Sequence, residues 1–102
     1  MKQIYILATF LCVLNLNAQN SYYISMTSGV DTNDGKSETN PWKTTSKFRK
    51  EVRLGHITSG DTILFKRGDI WENGDYIVLT DSITIKSYGY ETEKPIISNL
   101  AI

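Results

Sequence analysis

The sequence predicts a mainly β chain whose short strands stack as a solenoid. Three observations point there. Six Tyr, three Phe and two Trp in 102 residues supply large side chains suited to pleated surfaces, and seven Gly against two Pro favour many tight turns. Asp61-Thr62-Ile63-Leu64-Phe65-Lys66 aligns with Asp81-Ser82-Ile83-Thr84-Ile85-Lys86 at an offset of twenty, matching an acid, a hydroxyl, two apolar residues one apart and a lysine. Short β-rich runs recur between turns at about that interval, as stacked coils require. The competing reading is chance similarity between two amphipathic strands.

Ser21-Tyr22-Tyr23-Ile24-Ser25 is aromatic and β-branched and reads as the first strand. Met26 to Pro41 is dominated by Ser, Thr, Asn, Asp and Gly and reads as a loop. Thr44 or Thr45 caps a short helix running to about Arg53, with Phe48 and Val52 on one face, Trp42 as a cover just outside it, and Gly55 as the stop. Between the two repeat copies lie Ile70-Trp71 and Tyr76-Ile77-Val78-Leu79. Tyr88-Gly89-Tyr90 and Pro95-Ile96-Ile97 follow the second.

Composition narrows the function classes. The chain is 40% hydrophobic and 22% charged, with 11 basic and 11 acidic side chains and no formal net charge. A nucleic-acid binder needs a basic stripe to neutralise phosphates, and a disordered tail needs low hydrophobicity with high net charge. Neither profile fits.

The first segment reads as an address. Lys2 precedes the uncharged run Ile4 to Leu14, which gives way to Asn15-Leu16-Asn17 and then Ala18. Spanning a bilayer takes about 20 apolar residues, more than this run holds. A cleaved secretory signal of residues 1–18 is expected, with the cut between Ala18 and Gln19, over a buried N-terminal helix. Cys12, the one cysteine, would leave with it, and Thr9-Phe10-Leu11 ahead of it lacks the small residues of a lipoprotein anchor. The expected location is extracellular or periplasmic.

Tyr22-Tyr23-Ile24-Ser25, Gly29-Val30-Asp31-Thr32-Asn33-Asp34-Gly35, Asn40-Pro41-Trp42-Lys43-Thr44, Gly60 to Gly68 with Trp71, and Tyr88-Gly89 with Lys94-Pro95-Ile96-Ile97-Ser98 occur in that order over nearly the whole mature chain. Together they resemble the N-terminal region of secreted right-handed parallel β-helix proteins of the pectate-lyase-like superfamily, with a signal in the style of Bacteroidetes. The resemblance implies a long parent of many coils, acting on polysaccharide, often as a lyase of acidic sugars. Its catalytic residues would sit on later coils, and none is carried onto these positions. Two coils alone bury too little inner face, so a truncated chain is expected.

The residues themselves offer few candidates for chemistry. If Ile63 and Phe65 point inward, alternation sends Lys66 outward, and in the second copy Lys86 likewise. Lys66, Arg67 and Lys86 could then form a cationic ladder for an acidic substrate, against the alternative of a solvated strand face. Asp31 to Gly35 is dense in oxygen ligands but lacks EF-hand spacing, since Gly35 is fifth and Trp42 twelfth counting from Asp31. An Asx-turn loop is the preferred reading. His56 stands alone without a metal or triad partner in sequence, Glu72 and Asp75 suggest turn solvation over glycoside hydrolysis, and Trp42 and Trp71 suggest core over sugar stacking.

The expected organisation is a signal over 1–18, a cap over 19–60 and the first coils over 61–102. The expected function is the N-terminal part of an exported carbohydrate-active protein, inactive by itself, with a non-enzymatic glycan-binding or scaffold β-helix as the alternative. A polysaccharide, acidic in the lyase case, is the expected partner. Nucleic acid, membrane after cleavage and obligate protein partners are not expected. No cofactor or metal is expected here, calcium being left to the full-length parent.

Overall fold

The structure is a computed structural model that describes residues 19–72, 77–78, 82–98 and 100–101. The signal expected over 1–18, and Tyr76, Leu79, Asp75 and Asp81 of the repeat region, lie outside the described residues. The chain is mainly β with one short helix: β1 (Ser21–Ile24), α1 (Thr45–Arg53), β2 (Thr62–Lys66), β3 (Ile70–Trp71), β4 (Ile77–Val78), β5 (Thr84–Tyr88), β6 (Ile96–Ile97) and β7 (Leu100–Ala101).

Local chemistry sets the helix ends. Thr44 takes extended angles (φ −109°, ψ 153°), and its hydroxyl accepts from the Lys47 amide at 3.1 Å, which satisfies a first-turn donor with no helical partner. At the other end the Leu54 amide still reaches the Lys50 carbonyl, and Gly55 then turns the chain out at φ +80°, where a Cβ would be strained. Thr45, Phe48 and Glu51 are buried and Val52 half-buried, so the helix presents one face to the strands.

All strand pairing is parallel. β1, β2 and β5 form one sheet in that order, β3 pairs with β6, and β4 with β7; none of the three sheets closes on itself. The strands β2, β3 and β4 are thus matched in the same sequence by β5, β6 and β7. Parallel neighbours cannot be joined by a hairpin, so the chain must leave each strand and return to the same end before the next can pair.

The register corrects one expectation. Thr62 faces Thr84, Ile63 faces Ile85 and Leu64 faces Lys86, so the pairing offset is 84 − 62 = 22 residues and not the twenty of the sequence match. Lys66 therefore stands beside Tyr88, and Lys66 and Lys86 do not stack. A shift of two preserves the faces, because side-chain direction alternates with period two. Ile63 and Phe65 are buried, Ile83 and Ile85 pack half-buried against them, and Lys86 is exposed.

The core gathers between β1, β2, β3 and α1. Tyr22 stacks on Trp42 with centroids 5.1 Å apart, Phe48 meets Phe65 edge-on at 6.0 Å, and Phe65 meets Trp71 at 5.0 Å. Trp42 and Trp71 are 3% and 1% exposed, which places both in the core as their sequence context suggested. Fully burying a side chain of this size contributes about 2 kcal/mol or more.

The two sides of the β1–β2–β5 sheet end differently. Along β1, the Tyr23 amide donates to the Gly35 carbonyl, the Trp42 amide to the Tyr23 carbonyl and the Ser25 amide to the Trp42 carbonyl, so the polar loop seals that edge. No described strand pairs with the outer edge of β5 or of β6, and Ile96 is 55% exposed.

Candidate functional site

The described cleft with the richest chemistry lies between β1, the polar loop and α1. It encloses about 280 Å³ and is lined by Tyr22, Trp42, Asn33, Lys47, Glu51 and His56, with Asp34 and Lys36 at the rim. The aromatic pair forms its floor. Trp42 is locked there: its indole N–H donates to the Asn33 carbonyl at 2.8 Å, Lys47 sits 5.7 Å from its ring centroid, and a Cβ on Gly35 would come 2.4 Å from its ring. Gly35, at φ +72°, is thus required for both its backbone angle and its closeness to the indole.

Glu51 ties the wall together. One carboxylate oxygen meets the Lys47 ammonium at 2.8 Å and the other meets His56 Nδ1. Burial pushes the Glu51 carboxyl up, but hydrogen bonds and charge from Lys47 and His56 outweigh it and hold the group below its ordinary range. An ionised, doubly engaged carboxylate has no proton to give as a general acid and no free oxygen for a nucleophilic role. The Tyr22 hydroxyl donates to the His56 carbonyl at 3.3 Å; burial, followed by the charges of Asp61 and Glu51, raises its pKa. His56 therefore closes the turn after α1, and the cleft is a braced wall.

Lys66 ends β2 and Arg67 follows it, but they do not form an open ladder. Lys66 Nζ contacts Glu91, while Arg67 donates through Nε to the Glu91 carbonyl at 2.7 Å, through one terminal nitrogen to the Thr92 carbonyl at 2.9 Å and through the other to Ser87 Oγ at 3.1 Å. The Gly68 amide adds a bond to the Glu93 carbonyl at 2.9 Å. Both cations hold the 89–93 turn against the end of β2. Lys86 is exposed on β5.

Four aspartates are engaged by backbone amides or hydroxyls. Asp31 accepts from the Lys43 and Thr44 amides, each at 2.9 Å, and from the Thr44 hydroxyl at 2.6 Å. Asp34 accepts from the Lys36 amide at 3.0 Å, the Asx turn expected from the loop composition. Asp61, 2% exposed, accepts from the Asn20 and Thr58 amides, and Asp69, 3% exposed, from Ser25 Oγ at 2.9 Å and Thr27 Oγ1 at 3.0 Å. Among the described residues no three His, Cys, Asp or Glu side chains gather as metal ligands. Glu72 is exposed, and its suggested partner Asp75 is outside the described residues.

No family model matches the chain. It is 33% identical over 87 residues to a lacto-N-biosidase of Bifidobacterium longum subsp. longum, a match covering 78% of this chain and 5% of that protein. Two crystal structures of the GH136 lacto-N-biosidase from Eubacterium ramulus, one native and one a selenomethionine derivative, each match with a TM-score of 0.58 at 30% identity. Each of those matches covers 70% of this chain and 12% of theirs. The chain spans a small part of the length of the relatives it matches.

Sequence reasoning missed the braced cleft because Tyr22, Asn33, Lys47 and His56 come from four separate segments. The one local signal was Lys47, Glu51 and His56 at spacings of four and five, which puts a helical ion pair within reach of the first residues past the helix stop.

Proposed function

We propose that this chain is the N-terminal part of an exported, carbohydrate-active protein whose body is a right-handed parallel β-helix. The likeness to lacto-N-biosidases, 30% identity over 70% of the chain with a TM-score of 0.58, carries this reading. The ordered parallel matching of β2, β3 and β4 by β5, β6 and β7 is what two successive coils would give, and β1 with the polar loop and α1 would be the cap. On this reading the open side of β5 receives the next coil of the same chain.

The relatives' activity favours hydrolysis of a glycosidic bond over the elimination that an acidic-sugar lyase performs. Hydrolysis of that kind uses two carboxyl groups flanking the scissile bond. Asp31, Asp61, Asp69 and Glu51 are all engaged by amides, hydroxyls or cations, so the described residues would build the cap and leave the chemistry to later coils. The same engagement favours, as the second reading, a β-helix that binds glycans without cleaving them.

The test is to read the coding sequence onward in frame and assay the longer protein on a chromogenic lacto-N-bioside. Further β-rich coils and release of the chromophore are expected. A longer protein that binds glycans and cleaves none would decide for the scaffold, and a continuation with no further short strands would overturn the β-helix.

A further inference from the structure

The outer face of α1 carries a feature that neither the cap role nor the braced cleft uses. Ser46, Arg49, Lys50 and Arg53 are all exposed and follow one another at the i, i+3, i+4, i+7 spacing of a single helix face. The stripe runs about 10 Å, from the seven 1.5 Å rises between Ser46 and Arg53. Glu51 is the helix's one acid, and it lies on the buried side, paired with Lys47 and His56. Lys50 and Arg53 have no carboxylate partner among the described residues. A protein with zero formal net charge thus concentrates cations on one surface.

Beside the N-terminal half of the stripe runs an open groove of about 520 Å³ lined by Asp31, Thr32, Ser46, Lys47 and Lys50. Asp31 would oppose an anion there, but its oxygens already face the Thr44 hydroxyl and two backbone amides, which offset its charge locally. The groove leads onto the stripe with hydroxyl donors from Thr32 and Ser46 and the ammonium of Lys50.

We propose that this groove and the outer face of α1 bind an acidic polysaccharide, its carboxylate or sulfate groups meeting Lys50 and Arg53 and its hydroxyls meeting Ser46 and Thr32. The choice of a glycan among polyanions rests on the carbohydrate-active reading above; the choice of place rests on charge and exposure. Two competitors fit less well. A membrane-adsorbing helix needs an apolar face to bury in lipid, and here Phe48 and Val52 are turned into the core. A single-stranded nucleic acid needs aromatic platforms beside the cations, and Tyr22 and Trp42, the aromatics packed near α1, are buried, while the exposed Tyr90 lies on the 89–93 turn. Lys66 and Arg67 are tied to the 89–93 turn, which leaves them less suited to an incoming chain than the helix is.

Affinity electrophoresis of the full chain through gels holding polygalacturonate, chondroitin sulfate or neutral dextran tests this at low and high salt. Retardation by the two acidic polymers, its loss at high salt and no retardation by dextran are expected. Lys50→Glu with Arg53→Glu should weaken binding about tenfold or more while the thermal midpoint stays put, whereas Lys86→Glu should leave it nearly unchanged. If the double reversal disturbs folding, Lys50→Gln with Arg53→Gln should give a smaller weakening in the same direction. Binding lost with Lys86→Glu instead, or no binding to acidic polymers, would overturn the proposal. Retardation by dextran alone would overturn it while leaving the carbohydrate reading standing. Equal binding to phosphatidylserine vesicles would replace the glycan with a membrane.

Discussion

The Thr44 hydroxyl donates to Asp31 at 2.6 Å while accepting from the Lys47 amide at 3.1 Å, so the residue that caps α1 is itself held by the polar loop. Thirteen residues of chain, 44 − 31, are bridged by that contact, and the Asp31 bonds to the Lys43 and Thr44 amides fix the entry angle of the helix. The loop, which lacks regular secondary structure, is thereby tied to the start of α1.

Asp31→Ala should therefore destabilise the protein by about 2 kcal/mol, since it removes a charged acceptor and leaves the cap hydroxyl unoriented. Burial raises the Asp31 carboxyl, but the Thr44 hydroxyl and the two amides more than offset this and hold its pKa below the ordinary value. A carboxyl depressed in the folded state stabilises above its unfolded pKa and loses that contribution as pH falls through the folded one. Denaturant midpoints should accordingly drop below about pH 4 in the wild type, with the carboxylates Glu51 and Glu91 also depressed and contributing. Asp31→Asn should show a shallower decline; an identical pH curve would refute the role given to this carboxylate.

Asp69 joins the start of β3 to the end of β1 through Ser25 and Thr27, in a setting only 3% exposed. Asp69→Ala leaves the buried Ser25 hydroxyl and the exposed Thr27 hydroxyl short of an acceptor and should cost about 2 kcal/mol, more than Ser25→Ala, which removes one donor. Chemical denaturation of the two variants side by side checks the order.

The pairing offset of 22 residues is open to direct chemistry. Adjacent parallel strands lie about 4.8 Å apart, so cysteines at the facing positions 64 and 86 fall within disulfide reach. Positions 66 and 86 are displaced by two further residues, which puts their Cα atoms about 8 Å apart, beyond that reach. Leu64→Cys with Lys86→Cys should oxidise readily, and Lys66→Cys with Lys86→Cys slowly or not at all. The reverse order would restore the twenty-residue register.

That difference marks how far the sequence could be read. The helix was legible to its ends because Thr44 and Gly55 act locally, and the faces of β2 and β5 were legible because alternation survives any even shift. The register was not, because the acid–hydroxyl–apolar match at twenty residues is a similarity of types, whereas pairing follows which apolar side chains stack in the core. Ile63 beside Ile85 satisfies that packing. The engagement of Lys66 and Arg67 was invisible for another reason: Glu91 and Thr92 lie 24 or more residues away, and no local signal marks the turn that brings them back.

The last expected outcome concerns activity. Eliminating across a uronate requires a base within hydrogen-bond reach of the carbon-bound proton and a group that stabilises the carboxylate as charge develops. Lys66 is the described cation best placed to be mistaken for that base. Its hydrogen bond to Glu91 leads the influences that raise its pKa, against a smaller desolvation effect, so it stays protonated at neutral pH and already has an acceptor. A lysine becomes a base when burial or neighbouring cations lower its pKa, and neither dominates here. Arg67 is spent as a donor: two of its hydrogen bonds hold the 89–93 turn and a third reaches Ser87 on β5. The full chain incubated with alginate, pectate or chondroitin sulfate should therefore give no growth of the ultraviolet absorbance of unsaturated products. It should stay silent even though acidic polymers bind α1, because attraction supplies no proton acceptor. Absorbance that grows with the protein and disappears in Lys66→Ala would place a lyase site on β2 after all; growth that persists in Lys66→Ala would place one elsewhere in the chain.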